Sequence, residues 1–464
     1  MSRFKDIVFP LFDSIKIPTY AIFNRLKISK ELFAGMEENN SSDFSYLERF
    51  MRLFTHVQPG EGKSTLILSG YACLLLLLYY ILKPIREALI LSEHTAEMRS
   101  YTIAIQALVL LVLVPLYGSW VRTQGTDKIL PKVTLAVAIS LLLFWGLYLL
   151  KVPISIPFYV WLGVINVLLI AQFWAYAADV HSTDEGKRLF AFIAAGASVG
   201  SLIGAQISKH LFKLIGAEGL MILAAILLLA TMWLPRLVGL GTKKEKSNGD
   251  HTRSLKAGFD TVFNSRYLLV IAGFVILLNC VNTTGEYILA KWVQIYAQQG
   301  PDAKLMVGEF YSNFYTWVNL FSMFIQLLLV SRIFQWIHIH GAILILPFVA
   351  FIGYGLATFI PIFALFKLIK IAENSIDYSL QNTARHALFL PLNQQQIYEG
   401  KTVIDALCWR LGDLLHVVII FIGLKVFKLD HYQFAAFNLV ISLLWIVLAL
   451  NLARKHKHLV SEHD

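Results

Sequence analysis

Charge is scarce in this chain of 464 residues. Asp, Glu, Lys and Arg make up 15% of it, against 57% hydrophobic residues and a mean hydropathy of +0.63. Ordinary soluble domains carry about a quarter charged residues, so the composition excludes one and points to an all-α polytopic membrane protein. Cysteine is rare as well. Cys73, Cys280 and Cys408 fall in or beside apolar runs without metal-ligand spacing, which excludes a disulfide framework and a zinc site. Acidic residues (30) are outnumbered by Lys and Arg (40), for a net charge of +10. Yet no basic patch interleaved with aromatics accompanies the excess, so no nucleic-acid partner is expected. Loops on the cytoplasmic face of a membrane account for it better. A nucleophile and base pair at useful spacing is also missing, His338 and His340 being only two apart, so the chain does not read as an enzyme. No cofactor or metal is expected.

What is present begins with a polar segment, residues 1–62, in which Phe4, Ile7, Val8, Leu11, Phe12 and Ile15 recur at helical spacing beside Arg3, Lys5 and Lys16. This predicts a cytoplasmic amphipathic segment at a lipid surface or, since Pro10 and Pro18 would break a long helix, an adaptable tail without a specific role. Asp6, Pro10 and Asp13 interrupt the apolar core that a cleaved signal would need. The string GEGKST at Gly60–Thr65 imitates the end of a phosphate-binding loop. Val57 stands where that motif needs glycine and an apolar span follows, so the string reads as the charged start of a helix.

Apolar runs begin near Leu66, Tyr101, Val133, Ile156, Leu189 and Gly219, and again near Tyr267, Asn313, Gly341, Ile362, Thr402 and Phe434. Each is long enough to cross a hydrocarbon core about 30 Å thick. The expected architecture is therefore about twelve transmembrane helices in two six-helix halves, 63–235 and 267–453. A basic linker, 236–266, joins them, and a tail, 454–464, follows. The tenth run is interrupted by Lys367, Lys370, Glu373 and Asp377. The distribution of Lys and Arg places both termini in the cytoplasm. Glu185-Gly186-Lys187 and Glu399-Gly400-Lys401 occupy corresponding places in the two halves, as parallel repeats in a major-facilitator-like transporter would. Gly196, Gly200 and Gly204 leave one face of the fifth run nearly bare, a seam for close helix approach.

Candidate site residues follow from the cost of charge in a bilayer, roughly 2.5 to 3.5 kcal/mol each near its centre. Lys83, Arg86 and Glu87 share one face at the end of the first run, with Pro84 between the bases as a point where the helix could loosen and Glu87 one turn from Lys83 as its neutralising partner. Asn279, Asn282, Thr283 and Glu286 form a polar stripe in the seventh run, Tyr315, Asn319, Ser322 and Gln326 in the eighth, and Lys370, Asn374, Asp377 and Gln381 in the tenth. Lys401 with Asp405, and Arg410 with Asp413, stand at pairing distance along a helix. Bases recurring at Lys370, Arg385, Lys401 and Arg410 suit an anionic small molecule, phosphorylated or carboxylated. Trp174, Tyr176, Tyr287, Tyr315 and Trp409 are candidates to stack on a base.

Three stretches carry a family resemblance. YYILKPIREALI, FWAYAADVHSTDEGKRLFAFIAAGASVGS and ENSIDYSLQNTARHALFLPLNQQQIYEGKTVIDALCWRLGD resemble the bacterial branch of the ATP/ADP translocase (nucleotide transporter) family, over about Val57 to Ala453. The resemblance implies twelve helices, a distant relation to major facilitators, and exchange of nucleotides across a bacterial inner membrane by a monomer embedded in lipid. It places Arg86 at the family's essential lysine, Glu286 at its essential glutamate, and Lys401 at a basic residue before the eleventh helix. The fourth position departs, since no acidic residue occurs between Lys151 and Asp179. Substrate identity therefore stays open between a nucleotide, another phosphorylated metabolite and an unrelated anion. A transporter-derived membrane scaffold or sensor is the second reading. The expected substrate-binding set is Lys83, Arg86, Glu286, Lys401, Asn279, Asn282, Lys370, Asp377 and Arg385.

Overall fold

The computed structural model describes residues 45–52, 55–124, 126–238, 255–393 and 396–463. The expected amphipathic helix near the N-terminus and the KKEK run of the linker lie outside them. Contacts divide the chain into residues 1–63 and 64–464. In the first unit a short helix, Tyr46–Met51, presents Glu48, whose carboxylate accepts hydrogen bonds from the N–H groups of Ser45 (2.8 Å), Gly60 (2.8 Å) and Gly62 (3.3 Å). The backbone donors of the GEGKST string are thus turned onto a carboxylate of the chain itself.

The described residues of the second unit are helical apart from short connections. Span 1 is Gly62–Glu93, span 2 Ala96–Gln124, span 3 Thr126–Leu149 and span 4 Ser155–Val180. Thr183–Thr231 is one helical run broken at Gly216 (φ 66°, ψ −173°). Straight, it would measure about 70 Å, more than twice the roughly 30 Å of a hydrocarbon core, so the break makes it spans 5 and 6. Span 7 is Arg266–Ala297. Ala303–Phe359 is likewise broken, at His338 (φ 59°, ψ 178°), into spans 8 and 9. Phe363–Ile376, a π turn Asp377–Gln381 and Asn382–Ala387 compose span 10. Span 11 runs through two π turns, Gln396–Gly400 and Ile404–Cys408, into Trp409–Lys425, and span 12 is His431–His463.

Nine helices among the described residues are long and apolar enough to cross a membrane. Two of these are the broken runs, and span 10 falls short because of its own charges, which gives the twelve expected spans. The helices start earlier than the apolar runs because polar residues cap them. Span 8 begins at Ala303, ahead of Asn313, since Asp302 accepts the Leu305 N–H at 3.0 Å. Pro84 departs from expectation. Span 1 passes through it without a break, and Ile81 before it and Ile85, Ala88 and Leu89 after it are fully buried. The irregular backbone lies instead in spans 8, 10 and 11 as π turns, a distortion often found at functional sites.

The glycine seam is close. A Cβ on Gly196, Gly200 or Gly204 would run into the backbone carbonyl oxygens of Ser69, Cys73 and Leu77, so span 5 lies directly against the main chain of span 1. Large apolar side chains face outward along spans 2, 3 and 12, among them Leu108, Val112, Leu116, Ile139, Leu143, Leu444 and Val447. Such faces suit lipid. The chain is an all-α, multi-pass membrane protein.

Candidate functional site

The charges of span 1 converge with those of spans 2, 7 and 11 on a cavity of about 220 Å³. Tyr79, Lys83, Arg86, Arg99, Gln106 and Tyr159 line it from the first six spans, and Asn282, Glu286, Tyr315, Tyr378, Trp409 and Arg410 from the last six. Of the expected site residues, Lys83, Arg86, Asn282 and Glu286 reach this wall.

Glu87 does not neutralise Lys83, as its position one turn away suggested. Its fully buried carboxylate accepts from Arg86 Nη2 at 2.6 Å and from Arg99 Nε at 2.6 Å, so one acid holds two guanidinium groups. Arg86 also lies over the Tyr159 ring, 4.2 Å from its centroid. Lys83 is left among tyrosines, its ammonium 3.9 Å from the Tyr315 centroid, 5.0 Å from Tyr80, 5.6 Å from Tyr79 and 5.8 Å from Tyr378. Ring faces are electron-rich, so this box holds a cation without cancelling its charge.

Across the cavity, Glu286 accepts from Asn374 Nδ2 at 2.8 Å and lies 3.7 Å from Arg99 Nη2 and 3.9 Å from Lys370 Nζ. Lys370 is fully buried behind it, paired with Glu373 at 3.0 Å and donating to Asn282 Oδ1 at 3.0 Å. Gly285 makes this possible, because a Cβ there would meet the Tyr354 hydroxyl and come within 2.8 Å of Lys370 Nζ. Asn282 Nδ2 in turn donates to Asp377 at 3.3 Å. Asn279 serves span 11, donating to the Trp409 carbonyl (2.6 Å) and to Asp413 (2.8 Å), which Arg410 also holds at 3.1 Å. Lys370, Asp377 and Asn279 therefore form the layer behind the wall.

Lys401 and Arg385 stand outside the cavity. They flank Asp405, at 4.0 and 3.7 Å, and Arg385 reaches the wall only through Trp409, whose ring centroid is 4.9 Å from its guanidinium. Arg99 is the residue that sequence reasoning missed. Four residues into span 2 it reads as an interfacial arginine, yet its side chain is 4% exposed. No spacing rule links it to Glu87, twelve residues away.

Contacts between the first six and last six spans gather at one end of the bundle. Gln294 donates to the His94 carbonyl at 2.7 Å and accepts from the Ala96 N–H at 3.1 Å, so span 7 closes the junction of spans 1 and 2. Glu97 pairs with Lys291 at 2.8 Å and accepts from the Tyr287 hydroxyl at 3.1 Å. Lys304 donates to the Tyr148 hydroxyl at 3.3 Å. Deeper, His416 bridges the Ser100 and Thr284 hydroxyls at 3.2 and 3.1 Å, and Asn319 donates to the Ser201 carbonyl at 3.1 Å.

No protein-family model matches the chain. It is 24% identical over 294 residues to ADP,ATP carrier protein 1 of Chlamydia pneumoniae, covering 53% of this chain and 56% of that protein. ADP,ATP carrier protein 1, chloroplastic, of Arabidopsis thaliana is 23% identical over 287 residues, 53% of this chain and 45% of the relative. The chain thus spans about half the length of the curated relatives it matches. In fold it is similar to a mutant of the nucleoside transporter NupG (TM-score 0.60, 12% identity, 85% of this chain and 99% of that one). A similar match is an auto-inhibited POT family peptide transporter (TM-score 0.59, 14% identity, 83% and 96%). The chain is a distant relative of the ADP,ATP carrier proteins, built on the fold that these transporters share.

Proposed function

We propose that the protein is a membrane transporter that exchanges nucleotides, taking the anion into the cavity between its two six-span halves and releasing it by alternating access. One observation carries this reading. A single cavity joins Lys83, Arg86, Arg99 and Arg410 to Tyr79, Tyr159, Tyr315, Tyr378 and Trp409, cations for phosphate beside rings for a base. Lys83 is the mobile charge, Arg86 the planar one, and Glu286 the acid that moves as the anion enters. Asn282 orients from the opposite wall, with Asn279, Lys370 and Asp377 fixing it from behind. Arg385 and Lys401 form the basic approach beyond Trp409. In this reading the halves 63–235 and 267–453 rock about the cavity, both termini are cytoplasmic, and a monomer sits in a bacterial inner membrane.

A second reading, transport of another phosphorylated metabolite, is favoured by the want of an acid in span 4 ahead of Asp179 and by arginine standing at position 86. Proteoliposomes separate the two. Interior ADP should speed entry of labelled ATP; a panel of phosphorylated solutes that does so when ADP does not would transfer the assignment to that class. Arg86→Ala should lower uptake by about tenfold or more, the loss of a charge-assisted contact. Lys425→Ala, on an exposed helix end, should leave uptake unchanged.

A further inference from the structure

We propose that Arg99 and Glu286 form a latch across the two sets of spans, which an anionic group of the substrate has to open. The inference rests on the transport reading and adds a residue and a coupling step to it. Arg99 belongs to span 2 and Glu286 to span 7, and both line the cavity. One edge of the Arg99 guanidinium is fixed on Glu87 at 2.6 Å, so it stays with the first six spans. Its Nη2 lies 3.7 Å from Glu286, and its Nη1 is buried with no hydrogen-bond partner. The guanidinium therefore holds the glutamate loosely and keeps one donor unused.

Glu286 has a second berth on its own side of the cavity, on Asn374 Nδ2 at 2.8 Å and near Lys370 Nζ at 3.9 Å. A phosphate oxygen makes charge-assisted hydrogen bonds of about 2.7–2.9 Å, shorter than the present contact, and can use the unpaired Nη1 as well. An arriving anion thus takes Arg99 from Glu286, which stays on Asn374 and Lys370, where its other oxygen already lies. The ionic contact that crosses the cavity is then gone, and Glu97 with Lys291 remains at the joined end of the bundle. In the empty protein the crossing contact is intact, and separating the spans would part a buried guanidinium from a partly buried carboxylate. The empty carrier is held still and the loaded one released, which makes transport an exchange.

The test needs no substrate in its first arm. Leu150 and Phe359 are exposed and stand at the end where Lys304 meets Tyr148, one on each set of spans. Spin labels there, on a background without native cysteines, should report one distance in the empty wild type. In Glu286→Gln a second should appear with about a fifth of the signal or more. Arg99→Lys, which keeps the charge, should retain one distance. An unchanged distribution in Glu286→Gln overturns the latch whatever the solute.

The second arm is efflux of labelled ADP from proteoliposomes. External ATP should speed wild-type efflux about tenfold, and Glu286→Gln should bring that ratio below about twofold by raising the unpaired efflux. Asn374→Ala, which removes the second berth, should slow exchange without raising unpaired efflux. A ratio kept in Glu286→Gln also overturns the latch. Wild type that moves no nucleotide overturns the nucleotide reading instead, and leaves the distance measurement to judge the latch.

Discussion

Glu87 makes the closest ionic contacts of the site. It is fully buried and holds Arg86 and Arg99 at 2.6 Å each, so Glu87→Ala would leave two buried guanidinium groups with one counter-charge fewer. Breaking such a pair costs about 3–5 kcal/mol, and the expected outcome is a large fall in apparent Tm in detergent, measured without solute. His338 should respond in the opposite sense. Its φ of 59° with ψ of 178° is a region that glycine favours, and holding another residue there costs about 1–3 kcal/mol. His338→Gly should therefore raise Tm, as followed by the same melt. At this scale the sequence spoke where a charge interrupted an apolar run, which is why Lys83, Arg86 and Glu286 were legible. It was silent on Arg99, because burial at a helix start is decided by what packs over it, here span 1 and span 7.

Helix ends and helix contacts set the next level. Ser182 caps the start of span 5, its hydroxyl accepting from the Glu185 N–H while the Glu185 carboxylate accepts from the Ser182 N–H at 2.9 Å. Ser182→Ala should cost about 1 kcal/mol. The Ser182 N–H, and after it His181, hold the Glu185 carboxyl below the usual carboxylate range. Because that folded-state value is depressed, its stabilisation is present above the ordinary glutamate range and is lost as pH falls through the lowered value. A pH series of melts should show a Glu185→Gln deficit shrinking on acidification. Farther along, Gly200→Leu would drive a side chain into the Cys73 carbonyl of span 1. Overpacking of this kind costs about 1–3 kcal/mol, and a lower Tm with less protein recovered is the expected result. Glycine spacing announced this seam in the sequence. It did not announce the π turns of spans 10 and 11, since a backbone that widens by one residue leaves no mark in apolar periodicity.

At the level of the whole molecule, the joined end of the bundle invites a direct measurement. Glu97 and Lys291 meet at 2.8 Å across the two sets of spans. With cysteines at both positions, on a background without native cysteines, a short thiol cross-linker should stop exchange by about tenfold or more, and reductant should restore it, as a gate that must part requires. Twelve spans were legible because bilayer thickness imposes a minimum apolar length. Span boundaries and the pairing of Gln294 with the span 1 to 2 junction were not, because they depend on groups brought together from residues two hundred apart. The breaks at Gly216 and His338 have a mechanical consequence. Each joins two spans through a single non-helical residue, so there is no slack between span 5 and span 6 or between span 8 and span 9. Spans 5 and 8 are the ones that touch through Ser208 and Ser312 at 2.9 Å. In the rocking motion proposed above, shear at that contact would carry spans 6 and 9 with it, like the far arms of two staples.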